Sequence, residues 1–402
     1  MLKRLFTATC FACVLSGSGP AFADPDAGAY LAGRQADSVN DFTTSARFLT
    51  KALLADPTNV VLQENAMRAL VALGQIDRAV PVARAMLDQG HDNPIAHLTM
   101  TLADVRAENW AELVAALDAG RDISPLVDGL SVAWAHLGAG DITRALAGFD
   151  AVIAGEGMAV YGLTHKAYAL ASVGDFEGAE AIFRDNPGLR FSRQSVIAYA
   201  QILSQLGQND VAVAFMDRVF GNELDPGLTL LRNDLVAGSS VAYSAVRTPA
   251  QGMADLYLLV ASILQGDAPD EFTLLYARAA TYLWPENTQA ILMTAGLLEE
   301  LAQYDLANAT YSLVSPDDPA FLAAELGRAE VLRSANRPDA AIEVLDALSR
   351  SYPDRAEVYA AKGDSLRQAE MFEEAKAAYG RALELYDDTS NFKWFIHYTR
   401  GI

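Results

Sequence analysis

A spacing of 34 residues constrains this chain more than any other feature. Ala307, Ala341 and Ala375 recur at that interval, as do Leu264, Leu298, Leu332 and Leu366. Ala261, Ala295, Ala329 and Gly363 keep the same phase, and so do Pro285, Pro319 and Pro353, and Tyr311, Leu345 and Tyr379. Five columns on one period describe a unit repeated in space, which buries its apolar face only by stacking on its neighbours. In the last complete unit Tyr359, Gly363 and Leu366 recur at helical spacing, a polar turn follows near Glu370, and Ala375, Tyr379 and Ala382 form a second apolar face. Each unit therefore reads as two helices joined by a tight turn. Proline falls where one unit ends and the next begins, because it cannot continue a helix but starts one well. Alanine or glycine in mid-helix lets the two axes approach, and the large residue beside it fills the remaining space.

The period returns upstream. Ala133 and Ala167, and Ala145 and Ala179, are 34 apart, with Phe149 and Phe183 in the aromatic column. Gly140-Asp141-Ile142 and Gly174-Asp175-Phe176 supply turns, glycine accepting the helix-ending conformation. Ala200, Leu203, Gly207 and Ala212 continue the set with one residue lost. Leu53, Gly74 and Ala79 suggest two further units near the start, and the unit around Trp110 and Leu113 is the most degenerate. Between 221 and 253 the period fails at Asp225-Pro226-Gly227, Gly238-Ser239-Ser240 and Thr248-Pro249. This stretch reads either as a junction with one short helix around 230–236 or as a worn repeat that still stacks. The expected organisation is a leader over 1–23, an N-terminal array over 24–220, a junction over 221–253 and a C-terminal array over 254–402. The fold class is all-α, an α-solenoid of stacked helix-turn-helix repeats in two superhelical arrays.

On these columns the chain resembles the tetratricopeptide repeat family, most closely over 254–387. Departures occur at Ile291 and Glu325, where the aromatic that usually opens the first helix, present as Tyr257 and Tyr359, is missing. The resemblance implies a concave surface lined by the first helix of each pair, which grips a protein or peptide partner. Carrying the family's groove positions onto the clearest repeats gives Gln289, Leu292, Glu299 and Glu300, then Glu330 and Arg333, then Asp364, Arg367 and Gln368. The lysine and asparagine set that family members use to clamp a carboxyl terminus is missing at these positions. Upstream the corresponding face includes Trp134, Tyr161 and Tyr168, which serve either as exposed anchors for an extended peptide or as packing between repeats.

Composition narrows the partner. Thirty basic against 51 acidic residues give a net charge of −21, which repels phosphate backbones and anionic lipid, so nucleic acid is an unsuitable partner. Lys3 and Arg4, the apolar run from Leu5 to Leu15 and Ala21-Phe22-Ala23 have the pattern of an export signal, with cleavage expected before Asp24. That run is too short to span a bilayer, and no later segment is long and apolar enough. Cys10 and Cys13 both fall inside the leader, so a mature chain would have no cysteine and, with 28 basic residues left against 51 acidic, a charge of −23. By resemblance to envelope members of the family, the expected location is the periplasm. Trp394, Tyr398 and Gly401 are spaced like the first helix of another unit, which suggests an aromatic cap or an array that continues.

Catalysis finds little support. His91, His97, His136, His165 and His397 include no pair at a metal-binding helical spacing, and they read as solvated or partner-facing. Neither a glycine-rich phosphate loop nor a glycine-flanked nucleophilic serine occurs. The carboxylates fall mostly at turns and on exposed helix faces, and neighbours such as Glu299-Glu300 point to different faces. The sequence thus describes a non-enzymatic binding protein without cofactor or metal. It acts as an envelope scaffold, or else as the non-catalytic repeat region of a longer cell-wall or glycan-export enzyme or complex. The sequence leaves its oligomeric state open.

Overall fold

The computed structural model describes residues 25–189, 192–221 and 224–386, together with Ile396. The leader, with its cysteines and cleavage site, and the segment holding Trp394, His397, Tyr398 and Gly401 lie outside these residues. Among the described residues there are 21 helices and no strand. The N-terminal array comprises α1 (Pro25–Asp37), α2 (Phe42–Ala55), α3 (Val60–Ala72), α4 (Ile76–Asp88), α5 (Pro94–Arg106), α6 (Trp110–Asp118), α7 (Pro125–Gly138), α8 (Ile142–Ala154), α9 (Ala159–Ser172), α10 (Phe176–Asp185), α11 (Arg193–Gln205) and α12 (Asn209–Phe220). A single helix, α13 (Pro226–Val236), follows. The C-terminal array comprises α14 (Pro249–Leu264), α15 (Asp270–Leu283), α16 (Thr288–Glu300), α17 (Tyr304–Tyr311), α18 (Phe321–Ser334), α19 (Pro338–Ser351), α20 (Ala356–Gln368) and α21 (Phe372–Leu385). The chain is an all-α solenoid of helical hairpins.

The period is written into the backbone at the turn inside every described hairpin but α14–α15, where Pro269 stands at the donor position. Gln75 N donates to Leu70 O at 2.9 Å, Asp175 N to Leu170 O at 3.0 Å, Gln303 N to Leu298 O at 2.7 Å, Arg337 N to Leu332 O at 2.9 Å and Met371 N to Leu366 O at 2.9 Å. This bond closes a helix when the preceding residue adopts positive φ. Gly74 and Gly174 do so at φ 74° and 88° without strain, whereas Ala302, Asn336 and Glu370, each 34 residues from the next, do so at 55°, 58° and 61°. Leu298, Leu332 and Leu366 accordingly occupy equivalent buried niches, as do Ala307, Ala341 and Ala375.

First and second helices of each pair differ in how they are covered. α4 buries one face, through Ile76, Ala79, Ala83 and Met86, as expected of an outer helix. In α5 every residue from Ala96 to Leu102 is buried. The extra cover over the inner helices of the N-terminal array is the chain's own α14–α15 hairpin. α14 packs on α7 and α9, and α15 on α3 and α5, so one continuous core runs from Phe42 to Val331 through both arrays.

Specific contacts hold this hairpin in place. A Cβ at Gly252 would sit 2.3 Å from the Trp134 ring, so only glycine allows α14 this close to α7. On α15 the buried Arg278 donates from Nε to Ala72 O at 2.9 Å. Ala72 ends α3, where the carbonyl lacks an intrahelical partner and the helix dipole favours a cation. Tyr282 donates to Asp77 at 2.6 Å.

The stretch 221–253 delivers the hairpin into the groove. After α13 the chain runs without regular structure along α11, whose side chains replace the missing backbone partners. Gln201 Oε1 accepts from Ser244 N at 2.9 Å and from Ala245 N at 3.1 Å, Gln194 Nε2 donates to Ala245 O at 2.7 Å, and Ser204 Oγ accepts from Val241 N at 2.9 Å.

Candidate partner-binding cleft

Docking α14–α15 into the N-terminal array leaves an open cleft along the seam between the arrays. Its inner half, about 460 Å³, is bounded by α9, the start of α11, α14 and α16; its outer half, about 720 Å³, is bounded by α11, the start of α13, α16, α18 and the start of α20. Arg193, Gln194, Gln289 and Leu292 line both halves, which makes them one continuous channel.

The floor of the inner half is built from four side chains of three helices. Trp134 Nε1 on α7 donates to His165 Nδ1 on α9 at 3.2 Å. That leaves the imidazole proton on Nε2, which stands 3.9 Å from Asp255 Oδ2 on α14, too far for a hydrogen bond. The His165 ring meets Tyr168 edge to face with centroids 5.7 Å apart. Burial lowers the His165 pKa to about 3, so the ring is neutral. Burial also raises the Asp255 carboxyl to about 7, and the Tyr168 phenol is pushed well above its ordinary value by burial and then by Asp255.

The rim is electrostatically settled. Arg193 grips Asp225 through Nε and Nη2 at 2.5 and 2.9 Å, and Asp225 also caps α13 by accepting from Leu228 N at 2.9 Å. Burial raises the Asp225 carboxyl, but the guanidinium and the helix amides prevail and hold it below the usual range. The outer half mixes apolar Trp284, Leu322 and Leu326 with Glu286, Asp318, Glu357 and Arg355.

The residues expected to line a groove divide into three sets. Gln289, Leu292 and Tyr161 line the cleft, half-buried. Glu299, Glu330, Arg333 and Asp364 form a charged strip across α16, α18 and α20. Arg333 bonds Glu330 at 2.9 Å, Tyr311 reaches Glu299 at 3.4 Å, and Tyr379 donates to Asp364 at 2.7 Å. Burial raises the Glu299 carboxyl, and the nearby Glu330 charge adds to this. Gln368 donates to Arg333 O at 3.1 Å, while Glu300 and Arg367 are exposed.

Trp134 and Tyr168 are not exposed anchors: they are 0% and 1% accessible, because α14 covers the face on which a partner was expected. His165 and His97 are likewise buried instead of solvated or partner-facing. Asp255 is the site residue that periodicity missed. Its sequence neighbourhood, Met253 to Leu258, is buried at every position, and a helix apolar all round has to be covered on all sides. No group of three or more histidine, cysteine or acidic side chains able to hold a metal occurs among the described residues.

This geometry defines a class: a solenoid of paired antiparallel helices with an open cleft and one hairpin docked against its inner helices. The family model for the tetratricopeptide repeat matches residues 356–389, the unit formed by α20 and α21. The chain is therefore an all-α solenoid whose last described unit matches the tetratricopeptide repeat, and whose other units are helical hairpins of the same kind. No curated protein matches the sequence. Among solved structures, the P58(IPK) tetratricopeptide domain is similar at 13% identity over 94% of this chain and 98% of that one, with a TM-score of 0.25. Yeast Tom70 is similar at 16% identity over 94% and 88%, with a TM-score of 0.33. A tetratricopeptide repeat protein from Parabacteroides merdae is similar at 12% over 69% and 97%, with a TM-score of 0.29. The fold assignment rests on the hairpins and turns themselves, not on these superpositions.

Proposed function

We propose that the protein is a non-enzymatic interaction scaffold that holds an extended segment of a partner protein in the cleft between its arrays. The observation that carries this reading is the docked hairpin. It fills the inner face of the N-terminal array and so leaves the interarray cleft, continuous with the charged strip of the C-terminal array, as the accessible concave surface. The cleft's apolar stretches beside fixed polar groups suit peptide recognition. Its surplus of acidic groups, Asp225, Asp255, Glu286, Asp318 and Glu357 against Arg193 and Arg355, suits a basic partner whose approach is steered by charge. The leader pattern supports action in the periplasm after export.

The test is site-specific photocrosslinking in the native host from Leu326, in the cleft, with Leu54, 82% exposed on α2, as the control position. A discrete adduct from Leu326 that is absent from Leu54 is expected. Identical adduct patterns from both positions would remove the cleft from consideration.

A further inference from the structure

The inner half of the cleft contains a carboxyl group with no partner of its own, which is ionised once a cation is brought to it. Asp255 is 8% exposed, and its remaining exposure opens into the 460 Å³ cavity. Among the described residues it makes no hydrogen bond, and its nearest possible ion-pair partner, His165 Nε2 at 3.9 Å, belongs to a neutral ring. A carboxylate removed from water without donors costs several kcal/mol, and this cost is offset when a cation is brought to it. Among the described residues no cation does so: Arg193, the one arginine or lysine of them that lines this half, is committed to Asp225 by two hydrogen bonds, and Lys166, on the neighbouring turn of α9, is bonded to Asp150 at 2.6 Å. Val160, Leu258, Leu259, Leu292 and Met293 give the cavity around Asp255 apolar wall, beside neutral polar groups such as Thr164 and Ser195. Apolar wall beside a carboxylate matches a methylene stem ending in a positive charge, and the aromatic ring of Tyr161 lines the same cavity.

We propose that the inner half of the cleft is a specificity pocket for a cationic side chain, lysine or arginine, of the bound partner segment, with the Asp255 carboxylate receiving its charge. The pocket deepens the peptide-binding reading and rests on it. It selects basic residues at one position of the partner and rejects acidic ones, because a second carboxylate beside Asp255 would be left buried and unpaired.

The pocket is tested with the full chain and three blocked tripeptides, acetyl-Leu-Lys-Leu-amide and its norleucine and glutamate counterparts. Binding is measured by calorimetry and by the 15N shift of the Trp134 indole, whose N–H is bonded to His165. The lysine peptide is expected to bind at least about tenfold more tightly than the norleucine peptide, and the glutamate peptide more weakly than either. In Asp255→Asn, which keeps the shape and removes the charge, the lysine preference should fall below about threefold. Ser262→Lys, at the exposed rim, is a second variant that leaves the core alone; its added cation should weaken the lysine peptide and strengthen the glutamate peptide. Equal binding of lysine and norleucine peptides to the unaltered chain, a lysine preference that survives Asp255→Asn, or no lysine-peptide binding at about 5 mM would each overturn the pocket. Crosslinking from Leu326 judges the broader peptide-binding reading independently of all three results.

Discussion

At the residue scale, the two groups on the cleft floor make opposite contributions to pH dependence. Asp255 holds its proton up to about 7 in the folded chain but loses it near 3.8 when unfolded, so its contribution falls as pH rises between those values. His165 is neutral down to about 3 in the folded chain but titrates near 6.5 when unfolded, so its contribution rises with pH across that window. Each slope is about 1.4 kcal/mol per pH unit at full strength, and between pH of about 4 and 6.5 they oppose one another. The titratable groups facing Asp255 among the described residues do not alter this sign: His165 and Tyr168 come from α9 and Tyr243 from the connecting segment, and burial keeps all three neutral. The unaltered chain should therefore show a shallow profile from this pair. Asp255→Asn should gain stability as pH rises through that window, and His165→Gln should lose it. Urea unfolding at the two ends of the window checks both, and parallel profiles for all three proteins would refute the assignment. None of this was visible from the sequence, where Asp255 is one acidic residue among 51. Its burial depends on a helix about 90 positions before it, and no local pattern records that.

At the element scale, the α14–α15 hairpin belongs to two structures at once. It opens the C-terminal array by repeat phase and closes the groove of the N-terminal array by packing. Sequence periodicity conveyed only the first role, because the columns Tyr257, Ala261 and Leu264 record the hairpin's phase in the repeat and not what covers it. The second role was present as composition: Gly252 to Leu258 and Thr273 to Ala280 are buried without a break, more than stacking on one neighbour requires. Gly252→Val should separate the two roles. Its added atoms meet the Trp134 ring, which should cost about 1–3 kcal/mol by overpacking and loosen the docked hairpin while the α16–α21 repeats stay helical. A red-shifted Trp134 emission and faster proteolysis between Gly238 and Thr248, with helical circular dichroism retained, are the expected results. Unchanged emission would mean that the contact is not close.

At the scale of the whole molecule, the docked hairpin turns two arrays into one cooperative body. Repeat solenoids are generally held by nearest-neighbour contacts. Here Arg278 reaches Ala72 across 206 positions and Tyr282 reaches Asp77 across 205, so loss of either array strips cover from the other. Residues 25–386 should unfold in urea in a single transition, with Trp134 fluorescence and helical circular dichroism coinciding. Two separated transitions would show that the arrays are independent and that the cleft between them has no fixed shape.

The 34-residue period by itself determined the helical hairpins, their turn bonds and the equivalent niches of Leu298, Leu332 and Leu366, because each depends on residues within one unit or its neighbour. The family resemblance, not the period, put Gln289 and Leu292 among the expected groove positions. Tertiary structure alone decided that Trp134 and Tyr168 are covered, that a carboxylate stands unpaired beside a neutral histidine, and that the cleft lies between the arrays. Those outcomes follow from apolar faces that periodicity left uncovered and that meet only once the chain has turned back on itself through the segment after α13. Burial of such faces has no direction or sequence register, so distant helices find one another by shape, and a repeat pattern carries no record of that choice.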